Sequence, residues 1–118
     1  MKLGVDSYTL RNSGLDPLGV LQLARELGLD GVLFELSPFQ SLRDPDLERI
    51  RITAGELGLY LEFGMGSIFH GHPMADKGRR LLAAAGHNTD VSEAQTVIQH
   101  LEVARKLGSS ILRCVAGD

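Results

Sequence analysis

The stretch Glu26-Leu-Gly-Leu-Asp-Gly-Val-Leu-Phe-Glu-Leu36 decides how this chain folds, because its pattern returns in Glu56-Leu-Gly-Leu-Tyr-Leu-Glu-Phe-Gly-Met65 and in Lys106-Leu-Gly-Ser-Ser-Ile-Leu-Arg-Cys-Val115. Each copy reads as the last turn of a helix, a glycine that stops it, and then a strand. Gly28, Gly58 and Gly108 stand where a helix ends in a left-handed residue, a conformation that costs a residue with a β-carbon about 1 kcal/mol or more. A short apolar run follows each glycine within one or two residues, as a strand covered by helices requires.

Working outward, the helix starts carry their own signals. Asp16-Pro17 and Asp44-Pro45 place an N-cap carboxylate before a proline at the first helical position, where no amide proton is needed. Asp90-Val-Ser-Glu93 fits a capping box in which Glu93 reaches back to the cap. Apolar stripes at helical spacing follow: Leu18, Leu21, Ala24 and Leu27; Leu47, Ile50, Ala54 and Leu57; Ala94, Val97, Ile98, Leu101, Ala104 and Leu107. The predicted order is strand, helix, strand, helix, strand, long loop, helix, strand. The loop spans about Gly66 to Thr89, with room for a short helix around Asp76 to Ala85 that Gly78 weakens. Strict alternation calls for a parallel sheet of (β/α) units, an α/β fold.

Composition bounds the class. The 118 residues are 43% hydrophobic and 23% charged with a formal net charge of -3, the profile of a folded soluble domain. Twelve basic and fifteen acidic residues are evenly mixed, which argues against nucleic acid and against an anionic membrane surface as partners. No apolar run approaches the roughly 20 residues that cross a bilayer, and the chain opens directly on the strand-like Lys2-Leu-Gly-Val-Asp6, so a cytoplasmic location is expected. The single cysteine, Cys114, lies in an apolar run and is expected to be buried.

Length adds a constraint. Four parallel strands leave the first and the fourth with an open edge, while a closed barrel of eight such units needs about 250 residues. Asp118 stands where a further helix would be capped. The expectation is that residues 1–118 are the N-terminal half of a (β/α)8 barrel, a single incomplete domain with four strands and three to four helices. The open strand edges make a homo-oligomer possible.

In parallel α/β sheets, working residues gather at the carboxyl ends of the strands. That selects Asp6 and Tyr8 after strand one, Glu35 at the end of strand two, Glu62 in strand three, His70 and His72 in the long loop, and Arg113 in strand four. Glu35 sits between Phe34 and Leu36, so if those two pack on helices it points to the other face with Leu33. Glu62 and Arg113 are expected on that same face, where they either serve a ligand or form a structural ion pair. Asp6 and Tyr8 either meet a ligand or hold their loop. His70-Gly71-His72-Pro73 has the spacing of a two-imidazole metal pair, but His87 and His100, the latter expected on the solvent side of its helix, are poor candidates for further ligands. His70 and His72 therefore bind a metal, contact the substrate or sit in a solvated loop, with substrate contact the expectation. Gly64-Met-Gly66 lacks the third glycine and the following helix of a dinucleotide loop.

Three segments, Leu3-Gly-Val-Asp-Ser-Tyr8, Ala24-Arg-Glu-Leu-Gly-Leu-Asp-Gly-Val-Leu-Phe-Glu-Leu36 and Ala104-Arg-Lys-Leu-Gly-Ser-Ser-Ile-Leu-Arg113, resemble the N-terminal half of the xylose isomerase-like TIM barrels. That group includes sugar phosphate isomerases/epimerases, ketose epimerases, inosose dehydratases and the endonuclease IV type of abasic-site nuclease. The resemblance implies a barrel that holds one divalent metal (Mn, Mg, Co or Zn) through ligands on the later strands, where a glutamate moves a proton next to a carbonyl. It implies a sugar or polyol as the small-molecule substrate and no metal bound by residues 1–118 alone. Glu35 matches the family's glutamate at the end of strand two, Tyr8 a pocket position after strand one, and Arg113 the polar residue of strand four. The expected function is thus that of an isomerase half, inactive alone. Alternatives are a half-barrel that closes by homodimerisation, an endonuclease IV-like fragment, which the negative charge disfavours, or a small open-sheet binding domain.

Overall fold

The structure is a computed structural model and describes residues 2–115. In chain order it contains β1 (Gly4–Asp6), a 3-10 helix (Ser7–Leu10), α1 (Pro17–Glu26), β2 (Gly31–Phe34), α2 (Asp44–Glu56), β3 (Tyr60–Ser67), α3 (Pro73–Ala84), α4 (Glu93–Lys106) and β4 (Leu112–Val115). The strands form one all-parallel sheet in the order β1-β2-β3-β4, with Val5 opposite Val32, Val32 opposite Leu61, and Phe63 opposite Leu112. The chain is therefore an α/β fold. Asp118, expected to cap a further helix, lies outside the described residues.

The three repeated glycines act as the sequence requires: Gly28, Gly58 and Gly108 have φ of 73°, 71° and 80° and end α1, α2 and α4. Alternate strand residues divide between two faces. Val32, Phe34, Leu61 and Phe63 join residues of all four helices in one core cluster, so the helices cover a single face of the sheet. Phe34, Phe39 and Phe63 form its aromatic spine in two edge-on pairs with centroids 5.3 and 5.8 Å apart. Among the described residues, no helix covers the opposite face. At its amino end the Tyr60 ring lies flat over Gly31 and its hydroxyl reaches Gly4, so a β-carbon on Gly31 would meet the ring at 2.5 Å.

Several local expectations need correction. Helix α2 starts one residue early: Arg43 is its N-cap, and the Asp44 carboxylate instead takes a hydrogen bond from Lys106 Nζ at 2.7 Å. Ser92, not Asp90, caps α4, because Glu93 is drawn away to accept from the His70 amide at 2.7 Å. The short helix considered within the long loop, around Asp76 to Ala85, is present as α3 but starts earlier, at Pro73. Gly78 favours its packing: a β-carbon there would meet His100 Nε2 at 2.7 Å and Leu36 Cδ1 at 2.9 Å, so only glycine allows α3 to approach α4 this closely. Leu27, expected in the apolar stripe, is exposed at the C-cap of α1, whereas Leu107 at the same position of α4 is buried. Helix α4 is rotated from its apparent stripe: Ile98 and Leu101 are exposed, whereas Thr96, His100, Val103, Ala104 and Leu107 are buried. His100, expected in solvent, is 1% exposed and stacks on Phe63 with centroids 6.4 Å apart. Cys114, expected in the core, is exposed because β4 is an edge strand.

Candidate functional site

The carboxyl ends of the strands enclose a groove of about 390 Å³ on the helix-free face. Asp6 and Tyr8 from the β1 end, Leu33 and Glu35 from the β2 end, and Arg113 from β4 line it, while Met74 at the start of α3 walls one side. Parity explains the grouping. Leu33 and Glu35 are two residues apart, and Arg113 pairs in register with Gly64, whose lack of a side chain keeps the middle of the groove open.

Glu35 is the most tightly held polar group in the groove. Its Oε1 accepts from the hydroxyls of Ser7, at 3.3 Å, and Ser37, and its Oε2 accepts from the Ser37 amide at 2.9 Å. The Glu35 amide donates in turn to Ser7 Oγ at 3.0 Å, and Ser7 is 1% exposed. A carboxylate with three donors on two oxygens has a fixed orientation and keeps acceptor capacity on Oε2. Behind it, Lys77 of α3 donates from Nζ to the Ser37 carbonyl at 2.7 Å. Burial pushes the Lys77 pKa down; the Glu35 charge partly offsets this and the neighbouring Arg80 adds to it.

Each predicted residue has a definite place. Asp6 holds its loop, its Oδ1 accepting from the Tyr8 amide at 2.9 Å, while its side chain borders the groove. Tyr8 is exposed at the rim, with the Arg11 guanidinium stacked 4.1 Å from its ring. Arg113 donates from Nε and Nη2 to Glu62 Oε1 at 3.0 and 2.8 Å. Glu62, opposite Leu33 on β3, thus reaches the groove only through Arg113, as the ion pair considered for it. His70 and His72 do not join this group. His70 Nε2 lies 2.8 Å from Thr96 Oγ1 on α4, and His72 caps α3 by accepting from the Met74 amide at 3.1 Å.

Ser7, Ser37 and Lys77 were not legible as site residues. Two serines in turns are commonplace, and Lys77 comes to Glu35 only because α3 folds across the β2 end. Among the described residues no group of three or more His, Cys, Asp or Glu is arranged to hold a metal ion, and no helix is long and apolar enough to cross a membrane. No protein-family model, curated protein or solved structure matches this chain.

Proposed function

We propose that this chain forms the front half of a sugar isomerase/epimerase-like barrel and supplies the wall that orients a sugar or polyol. The observation that carries this reading is the position of the groove. It lies at the carboxyl ends of strands ordered β1-β2-β3-β4, on the face that becomes the interior when such a sheet closes. Glu35, fixed by Ser7 and Ser37, accepts a substrate hydroxyl on Oε2; Tyr8 covers the ligand at the rim; Arg113, steadied by Glu62, donates from its remaining Nη. The described residues do not fit a divalent cation: the oxygens of Glu35 face serine donors, and both loop histidines are engaged elsewhere. In this proposal the four complementing β/α units contribute the metal and the proton-transfer carboxylate.

Two measurements test it. Amide NMR titration of the 118-residue protein with D-fructose, D-xylose or xylitol is expected to shift Tyr8, Ser37 and Gly64 and neighbouring amides. Glu35→Gln is expected to weaken that binding about 5- to 10-fold, the worth of one good hydrogen bond to a charged acceptor. The same protein is expected to show no aldose–ketose turnover with Mn²⁺ or Mg²⁺. Metal-dependent turnover by this chain alone would refute the division of labour.

A second reading is a half-barrel that closes on another copy of itself. The exposed apolar side chains Leu3 beside β1 and Ile111 and Val115 at β4 favour it, since both open edges are flanked by surface that water solvates poorly. Sedimentation equilibrium separates the two, a discrete dimer supporting self-closure.

A further inference from the structure

Which ligand the groove accepts follows from where its donors and cations are already engaged. Phosphate-binding loops at strand ends aim free backbone N–H groups at the anion. Here five such groups at or near the strand ends turn inward. Besides the Tyr8 and Ser37 amides, held by Asp6 and Glu35, the Phe69 amide donates to Ser67 Oγ at 3.1 Å, the His70 amide to Glu93 Oε2 at 2.7 Å and the Met74 amide, at the N-terminus of α3, to His72 Nδ1 at 3.1 Å. Three of these five acceptors are carboxylates of the chain itself.

The cations are largely balanced as well. Arg113 is paired with Glu62 through Nε and Nη2 and keeps only Nη1 for a ligand, Lys77 is bonded to the Ser37 carbonyl, and Arg11 lies on the Tyr8 ring with Nη1 donating to the Tyr8 carbonyl at 2.9 Å. Asp6 and Glu35 border the groove without a salt-bridge partner among the described residues. A phosphate or carboxylate group entering there would face like charge and lose its hydration with few donors in return. A hydroxyl group instead finds acceptors, and the C–H surface of a sugar finds Leu33, Met65 and Met74.

We propose that the portion of the ligand held by this chain is an uncharged, hydroxyl-bearing sugar or polyol, and that the groove rejects phosphorylated and carboxylated sugars. This rests on the groove being the substrate wall, and it narrows the substrate class.

The test is an amide NMR titration of the 118-residue protein with D-fructose, D-fructose 6-phosphate and inorganic phosphate in parallel. Fructose is expected to shift Tyr8, Ser37 and Gly64. Fructose 6-phosphate is expected to need at least about tenfold higher concentration for the same shifts, and inorganic phosphate is expected to leave them unmoved. Asp6→Asn, which keeps the acceptor for the Tyr8 amide, is expected to narrow the gap between fructose and its phosphate; an unchanged gap would overturn the electrostatic origin. If the phosphorylated sugar binds as tightly as fructose, or inorganic phosphate shifts the same amides, the selectivity is wrong and the groove reading stands. If none of the three ligands shifts them, the groove reading fails and the inference fails with it.

Discussion

Neighbouring residues of the same strands live in two different environments. Val32, Phe34, Leu61 and Phe63 face the helices and are buried in one apolar cluster, whereas Leu33, Glu35, Glu62 and Arg113 face away and keep contact with water. The first set stabilises the fold by removing apolar area from water, at about 25 cal/mol per Å². The second set contributes shape and polarity to the groove. A shift of one residue in register would exchange the sets, so the alternation that secures the core also aims the groove.

The largest effect expected from this contrast lies at Phe63, which is 0% exposed and packs on both Phe39 and His100. Phe63→Ala is expected to lower the unfolding free energy by about 3–5 kcal/mol in urea denaturation, through lost transfer energy and the cavity left behind. A loss below about 1 kcal/mol would mean that the helix-covered face is not the structural one. Gly78→Ala is next, at about 1–3 kcal/mol, because the new methyl group meets His100 and Leu36 inside the packed layer. The usual gain of alanine over glycine in a helix, about 1 kcal/mol, would act alone if α3 were free of α4. A stabilising Gly78→Ala would therefore break the packing assigned to α3.

His100 gives the same face a pH dependence. Its Nδ1 lies 2.9 Å from the Thr96 carbonyl, and its Nε2 is buried without a partner among the described residues. Burial lowers its pKa below the usual 6.5; the Thr96 carbonyl opposes this and the nearby His87 adds to it. Between the lowered value and 6.5 the unfolded chain binds the extra proton, so stability is full above about pH 6.5 and declines as pH falls below it. The slope from one such group is at most about 1.4 kcal/mol per pH unit. Urea melts of wild type and His100→Gln between pH 5 and 7.5 are expected to show the steeper loss in wild type. Parallel profiles would place His100 in solvent.

His100 also marks where reading the sequence stops. The repeated glycines, the strand order and the parity of Leu33, Glu35, Glu62 and Arg113 were legible, because each follows from a period of two or from a backbone conformation that only glycine adopts freely. Helix α4 was misread because Val97, Ile98 and Leu101 form a stripe as regular as the buried one. Local periodicity cannot choose between two apolar faces; the contacts of His70 with Thr96 and of Gly78 with His100 do so, and they join residues 22 to 26 positions apart. Glu35 could be placed from its neighbours, but the serine cradle and Lys77 behind it depend on loops meeting in space.

The smallest effect is the sharpest test of the contrast. At Gly31 an added methyl group would collide with the Tyr60 ring at 2.5 Å, as close as the clash at Gly78, yet on the helix-free face. Among the described residues no helix packs over the Tyr60 ring, and Lys2 Nζ lies 5.8 Å from its centroid, so the ring is expected to swing outward. Gly31→Ala is therefore expected to cost less than about 1 kcal/mol, because the ring gives way and alanine is less costly than glycine in a strand. The measurement is a urea melt at two protein concentrations. A cost equal to that of Gly78→Ala, growing with protein concentration, would show that a second copy packs on Tyr60 in solution, because only a covered ring has nowhere to go. A small, concentration-independent cost would leave this face free for the groove to take its ligand.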